Sequence, residues 1–191
     1  MRVLVVDGSS SSDESVKAIC HMLEDVLTVR NVPHETVHLD ERRIVPCKRC
    51  GSCWVETPGL CVEGDDSNEL NRSWMYADMV VLLTRMTYGC YSSRIKDLLD
   101  KRIGSSVPYM SIKKDSVCHG PRYERNPSIL SIAVCDELNH SESETFKMLA
   151  KQIGGTINSY NSKSMIIWSG QRADDLRPMI DSAVMAMKVR A

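Results

Sequence analysis

Five short apolar runs, each set apart from the next by polar or helix-spaced sequence, constrain this chain more than any other feature. The first, Val3 to Val6, is unbroken, as suits a strand covered on both faces of a parallel sheet. After a polar loop, Val16, Ile19, Cys20, Leu23, Val26 and Leu27 recur at helical spacing and predict an amphipathic helix. Pro33 to Asp40 alternates Val37 and Leu39 with polar residues and reads as a second strand nearer a sheet edge. Met79 to Leu83, Ile129 to Val134 and Met165 to Trp168 read as three more strands. Helices are expected between them. One starts near Asp65 with Leu70, Trp74 and Tyr76 facing inward, and one carries Ile95, Leu98 and Leu99 with Ser92 or Ser93 as its cap. A third spans about Glu142 to Ile153, stopped by Gly154-Gly155, and the last spans Asp174 to Lys188. Strands and helices alternating in this way predict an α/β, doubly wound sheet. A length of 191 residues suits one domain covering 1–191. Residues 104–127 break the pattern: they hold Pro108, Pro121 and the basic pair Lys113-Lys114, and are expected to form an irregular insertion, ordered in an oligomer.

The second constraint is chemical. Cys47, Cys50, Cys53 and Cys61 stand in a C-x2-C-x2-C-x7-C pattern, flanked by Pro46 and interrupted by Pro58-Gly59. Two-residue gaps let successive thiolates turn inward on one small loop, and three such cysteines plus an outlier favour an iron–sulfur cluster over the paired ligands of zinc. Reduced thiols that bind nothing, and a zinc site, are the alternatives. In a parallel sheet the second strand ends at the same edge as the first, so the cysteine loop is expected on the ligand side, near the first loop. Of the other cysteines, Cys20 and Cys135 read as core. Cys118-His119 is a looser candidate for the active-site mouth or a subunit interface, the alternative being a surface pair with no role.

The loop after the first strand reads Asp7-Gly8-Ser9-Ser10-Ser11-Ser12-Asp13-Glu14-Ser15. Free N–H groups at a helix start, with several hydroxyls, can hold a phosphate. The same residues also serve as a plain serine-rich cap, and Asp13 and Glu14 suit that role while repelling a phosphate.

A formal charge of -1 gives no reason to expect nucleic acid or a membrane as partner. The apolar run at the start is too short for an export signal or a membrane span, so eight cysteines point to a reducing compartment, the cytoplasm, and to metal or redox use.

Three blocks then stand in order over about the first hundred residues. They are Gly8-Ser9 with Ser15 beyond, the cysteine block running into Asp65-Asp66, and Ala77-Asp78 with Thr84 through Tyr88-Gly89-Cys90-Tyr91-Ser92-Ser93 to Lys96, Asp100 and Lys101. Together they resemble the flavodoxin-like NAD(P)H-dependent FMN reductases and, within these, the iron–sulfur flavoproteins. The resemblance implies a flavodoxin-like, five-stranded parallel sheet with helices on both faces and a cysteine-rich loop after the second strand. It implies FMN, its phosphate on Ser9, Ser10, Ser11, Ser12 and Ser15 and its ring along Thr84, Arg85, Met86, Thr87, Tyr88 and Gly89. It implies a 4Fe–4S cluster on Cys47, Cys50, Cys53 and Cys61, in a homodimer or homotetramer. NAD(P)H or a ferredoxin-like protein would exchange electrons with it, and a small molecule would be its substrate. No catalytic side chain is expected, because the flavin carries the chemistry. The chain departs from the family in places. Ser10-Ser11 stands where Pro-Arg is frequent, Arg85 where a Pro is usual, and Cys135-Asp136-Glu137-Leu138-Asn139-His140 where a glycine-rich loop is common.

Overall fold

The computed structural model describes residues 1–113 and 116–189. Five parallel strands form one sheet. They are β1 (Val3–Asp7), β2 (His34–His38), β3 (Met79–Arg85) and, after a hairpin of β4 (Ser106–Lys113) and β5 (Ser116–Pro121), β6 (Ser128–Cys135) and β7 (Ser162–Trp168). The spatial order β2-β1-β3-β6-β7 is that of a flavodoxin-like sheet, in which the crossovers reverse direction between β1 and β3. β1, β3 and β6 are buried along their whole length except Arg85, which is why they read as unbroken apolar runs. β2 and β7 are the edges, and their mixed polarity follows from that position.

Alternate residues of each strand feed two cores. Val3, Val5, Val81, Leu83, Ile132 and Val134 pack beneath helices α1 (Glu14–Val29) and α6 (Ala173–Met185). Leu4, Val6, Val80, Leu82 and Ala133 face the other side. There α3 (Ser67–Tyr76), α4 (Ser93–Lys101) and α5 (His140–Thr156) contribute Trp74, Ile95, Leu98, Phe146 and Ala150; the one-turn α2 (Ser52–Val55) lies in the cysteine loop. Among the described residues no helix is long and apolar enough to cross a membrane.

Several expectations are corrected. Residues 104–127 are not irregular throughout: after a 3-10 turn at Arg102–Ser105, Ser106–Lys113 and Ser116–Pro121 pair as the antiparallel β4–β5 ribbon, with a register shift between Ser106 and Met110, and residues 122–127 carry no strand. Lys114 of the basic pair lies outside the described residues. Helix α5 does not stop at Gly154-Gly155 but runs through both to Thr156. A Cβ on Gly154 would lie 2.4 Å from the Ser162 Cβ, so this glycine serves a close helix–strand approach and not a cap. Tyr76 points outward and is 70% exposed. Ser92 stands at the start of α4 without capping it; its hydroxyl instead donates to the Gly8 carbonyl at 2.8 Å.

Candidate functional site

Two cavities lie at opposite ends of α4, one at the C-terminal edge of the sheet beside Ser92 and Ser93 and the other beside Leu99 to Ile103; contrary to expectation, the cysteine loop is not next to the first loop. The first, of about 520 Å³, lies over the β1–α1 loop and is lined by Gly8, Ser9, Ser10, Asp13, Arg85, Thr87, Tyr91 and Ser92, among others. Strand β1 delivers Asp7 into the interior, where its carboxylate accepts from the Ser9 N–H at 2.9 Å and pairs with His38 Nδ1 at 3.0 Å. Gly8 has no room for a side chain, because a Cβ there would meet Ile95 Cγ1 at 2.3 Å. The loop is therefore drawn against the start of α4, and Thr84 completes the joint by accepting from the Ser92 N–H at 2.8 Å.

Asp13 is the N-cap of α1: its side chain accepts from the Val16 N–H at 3.2 Å. Ser15 Oγ donates to the same carboxylate at 2.8 Å. Arg85, at the end of β3, donates from Nε and Nη2 to Asp13 at 2.8 and 3.0 Å, from Nη2 to Ser15 Oγ at 2.9 Å, and from Nη1 to Asp136 at 2.8 Å. Burial would raise Asp13, but the Arg85, Ser15 and Val16 donors outweigh it and hold the carboxyl below the usual aspartate range. The guanidinium thus ties the first loop to the loop after β6. Of the serines, Ser9 is buried, Ser10 and Ser12 lie 3.0 Å apart at the surface, and the Ser11 carbonyl accepts from Lys17.

Thr87-Tyr88-Gly89-Cys90 forms a tight turn closed by the Thr87–Cys90 bridge, with positive φ at Tyr88 and Gly89. Tyr88 is 86% exposed. Gly89 lies against α5, where a Cβ would come within 2.9 Å of the Glu142 carbonyl oxygen. Met86 is buried, its N–H donating to the Val134 carbonyl at 2.8 Å.

The second cavity, about 510 Å³, is lined by all four loop cysteines together with Trp54, Lys101 and His119 and other residues. None of the four is in a disulfide. Burial pushes the Cys53 thiol up, and the nearby Cys47, Cys50 and Cys61 push it the same way; hydrogen bonds from Ser52 lower Cys50. Lys101 Nζ lies 3.6 Å from Cys61 Sγ and forms an ion pair with Asp65, the two side chains being 1% and 0% exposed. Asp65 also accepts from the Val45 N–H at 2.8 Å and from Ser67. One buried pair therefore pins both ends of the cysteine loop to α4. Burial would raise Asp65, but Lys101 and the other donors bring it down to about 2.

The hairpin closes the far side. Trp54 Nε1 donates to the Ile103 and Ser106 carbonyls, each at 3.1 Å, and the indole packs on His119 with ring centres 4.8 Å apart. Arg122 donates to the carbonyls of Gly104 at 2.9 Å and Cys53 at 3.5 Å. Cys118-His119 is thus not a surface pair: Cys118 is buried and His119 helps to line the cysteine cavity. Arg102, next to Lys101, is buried over the Trp74 ring at 4.7 Å and donates to Asn71 Oδ1 at 3.0 Å. Among the described residues no three His, Cys, Asp or Glu side chains converge closely enough to hold a single metal ion.

The thiols share one cavity, and the hydroxyls of the first loop line or border the other. Sequence reasoning missed Lys101, Asp65 and Trp54 as supports of the cysteine loop. An Asp four residues beyond the last cysteine and a Trp next to the third were the available signals.

The chain is similar to known proteins in sequence and in fold. The profile of the NADPH-dependent FMN reductase family matches residues 1–104. An iron–sulfur flavoprotein of Methanosarcina thermophila is 25% identical over 103 residues, covering 54% of this chain and 53% of that protein. One from Archaeoglobus fulgidus is 32% identical over 69 residues, covering 36% and 30%. The matched stretch thus spans about half the length of these relatives or less. In fold, the NAD(P)H:quinone oxidoreductase of Methanothermobacter marburgensis superposes with a TM-score of 0.69 at 13% identity, over 97% of this chain and 93% of that one. A putative quinone reductase from Klebsiella pneumoniae gives 0.71 at 10% identity, over 97% and 84%. With residues 1–104, more than half its length, matched by the family model, the chain belongs to the NADPH-dependent FMN reductase family.

Proposed function

We propose that this protein is an FMN-dependent redox flavoprotein, an oxidoreductase, whose cysteine loop holds a 4Fe–4S cluster that exchanges single electrons with the flavin. The observation that carries the reading is the gathering of Cys47, Cys50, Cys53 and Cys61 on one cavity of a chain that also has a hydroxyl-lined cavity over its first loop. Family membership supports the flavin, and the similarity to iron–sulfur flavoproteins supports the cluster.

The donor types present are those that both groups use. Ser9, Ser10, Ser11, Ser12 and Ser15 would hold the FMN phosphate, with Thr84, Arg85, Met86, Thr87, Tyr88 and Gly89 along the ring. The tight turn at Tyr88-Gly89 is pressed onto α5 and so fixes that wall. The four thiols are the ligand set of a cubane, and their negative charge faces the ammonium of Lys101. Once bound, flavin and cluster supply hydride and single-electron chemistry between them. The chain's own part is to position them. Gly8 brings the first loop against α4, Asp65 and Lys101 fix the ends of the cysteine loop, and Trp54 ties that loop to the Ile103 and Ser106 carbonyls. NAD(P)H or a ferredoxin-like protein would be the electron source, a small molecule the substrate, and a homo-oligomer in the cytoplasm the working form.

An absorption spectrum of anaerobically purified protein, with iron, zinc and acid-labile sulfide assays on the same sample, tests this. Flavin bands with about four irons per chain are expected. Flavin without iron would point instead to a cluster-free reductase, and zinc without flavin to a binding module; a colourless, iron-free preparation sinks the proposal.

A further inference from the structure

The donors gathered at the start of α1 are already taken. The Val16 N–H, the Ser15 hydroxyl and two guanidinium nitrogens of Arg85 all point at one acceptor, the Asp13 carboxylate, and the third guanidinium nitrogen is spent on Asp136. These are the kinds of donor that a phosphate monoester calls for. Arg85 therefore neutralises two carboxylates of its own chain and brings no net positive charge to the 520 Å³ cavity that it lines with Ser9, Ser10 and Thr87.

We infer that Asp13 is the specificity-determining residue of the flavin site: its carboxylate stands in for the phosphate, and a flavin phosphate binds by competing with it for Arg85 and Ser15. This rests on the FMN reading above. Two consequences follow. The phosphate draws no net charge from Arg85 in this chain and, among the described residues lining the cavity, meets only Arg94, whose guanidinium donates to the Leu39 carbonyl at 3.3 Å. FMN therefore gains less over riboflavin than an unpaired Arg85 would give it. Removing the carboxylate's charge returns Arg85 to the phosphate, and only the phosphorylated flavin gains.

The geometry makes the test specific. In Asp13→Asn the amide oxygen still caps α1 by accepting from Val16, so the loop keeps its shape while losing one negative charge. Asp136→Asn frees the third guanidinium nitrogen from the far side without touching α1. The full chain, freed of flavin by dialysis, is titrated with FMN and separately with riboflavin, following quenching of flavin fluorescence. The expected result is FMN binding about tenfold tighter in Asp13→Asn, a smaller gain in Asp136→Asn where the carboxylate is more exposed, and riboflavin unchanged in both. FMN binding unchanged or weakened in both variants overturns the inference, as does a gain for riboflavin equal to that for FMN. If the wild-type chain binds flavin and these outcomes hold, only this inference fails. If no chain binds either flavin, the FMN reading falls with it.

Discussion

The two cavities sit at opposite ends of α4 and are built on opposite terms. Around the serine loop the ionic groups satisfy one another at the surface: Arg85, 28% exposed, bridges Asp13 and the still more exposed Asp136. Around the cysteine loop the ion pair is buried out of reach of water, and the thiols it supports are free. Surface networks are cheap to make and cheap to lose, whereas a buried pair costs desolvation when formed and far more when halved. The first wall can therefore rearrange around a ligand, while the second is fixed before any ligand arrives.

That contrast can be broken by experiment. The largest effect expected is chemical. Cys53→Ser removes a partly buried thiol of the set, and iron should fall from about four per chain to near zero. Flavin content, read from the same spectrum, should stay unchanged; loss of both would mean that the two cavities are not independent.

Next is Lys101→Met, which leaves Asp65 buried and unpaired and should lower stability by about 3–5 kcal/mol in urea unfolding. Adding Asp65→Asn should recover part of this, since the amide oxygen still accepts from Val45 and Ser67. An unchanged urea midpoint in the single variant would show that the pair is not buried in solution.

The same pair sets an acid response. With a folded value of about 2 against an unfolded one near 3.9, Asp65 adds stability that is complete above about pH 4 and drains away as pH falls through 2. The contribution is about 2 kcal/mol, and Asp65→Asn should flatten the stability curve across that window.

Smallest is Arg85→Gln, expected to cost about 1 kcal/mol because the pairs it breaks are partly hydrated. The Asp13 carboxyl should then titrate at higher pH, measurable by NMR. A loss as large as that of Lys101→Met would erase the contrast.

Much of this was legible in the sequence because burial on both faces leaves a plain mark. β1, β3 and β6 show it, and the cysteine spacing placed four thiols on one loop. The hairpin left no such mark. Its Tyr109, Met110, Ile112 and Val117 are exposed while Cys118 is buried, so its apolar residues trace no buried face, and Pro108 read as a breaker. The glycines misled in a different way: Gly154 looks like a stop, but its lack of a side chain serves contact with Ser162 on an edge strand. The Arg85 network could not be read at all, because it joins positions 72 and 51 residues apart and needs the strand order before it can be drawn.

The clamp on the cysteine loop has a consequence in time. The carbonyls that receive the Trp54 indole and the guanidinium of Arg122 belong to residues synthesised well after Cys61. At roughly 5–20 residues per second, the ribosome leaves the loop without this clamp for several seconds. That interval gives a delivery machinery open access to the loop, and gives oxidants the same access.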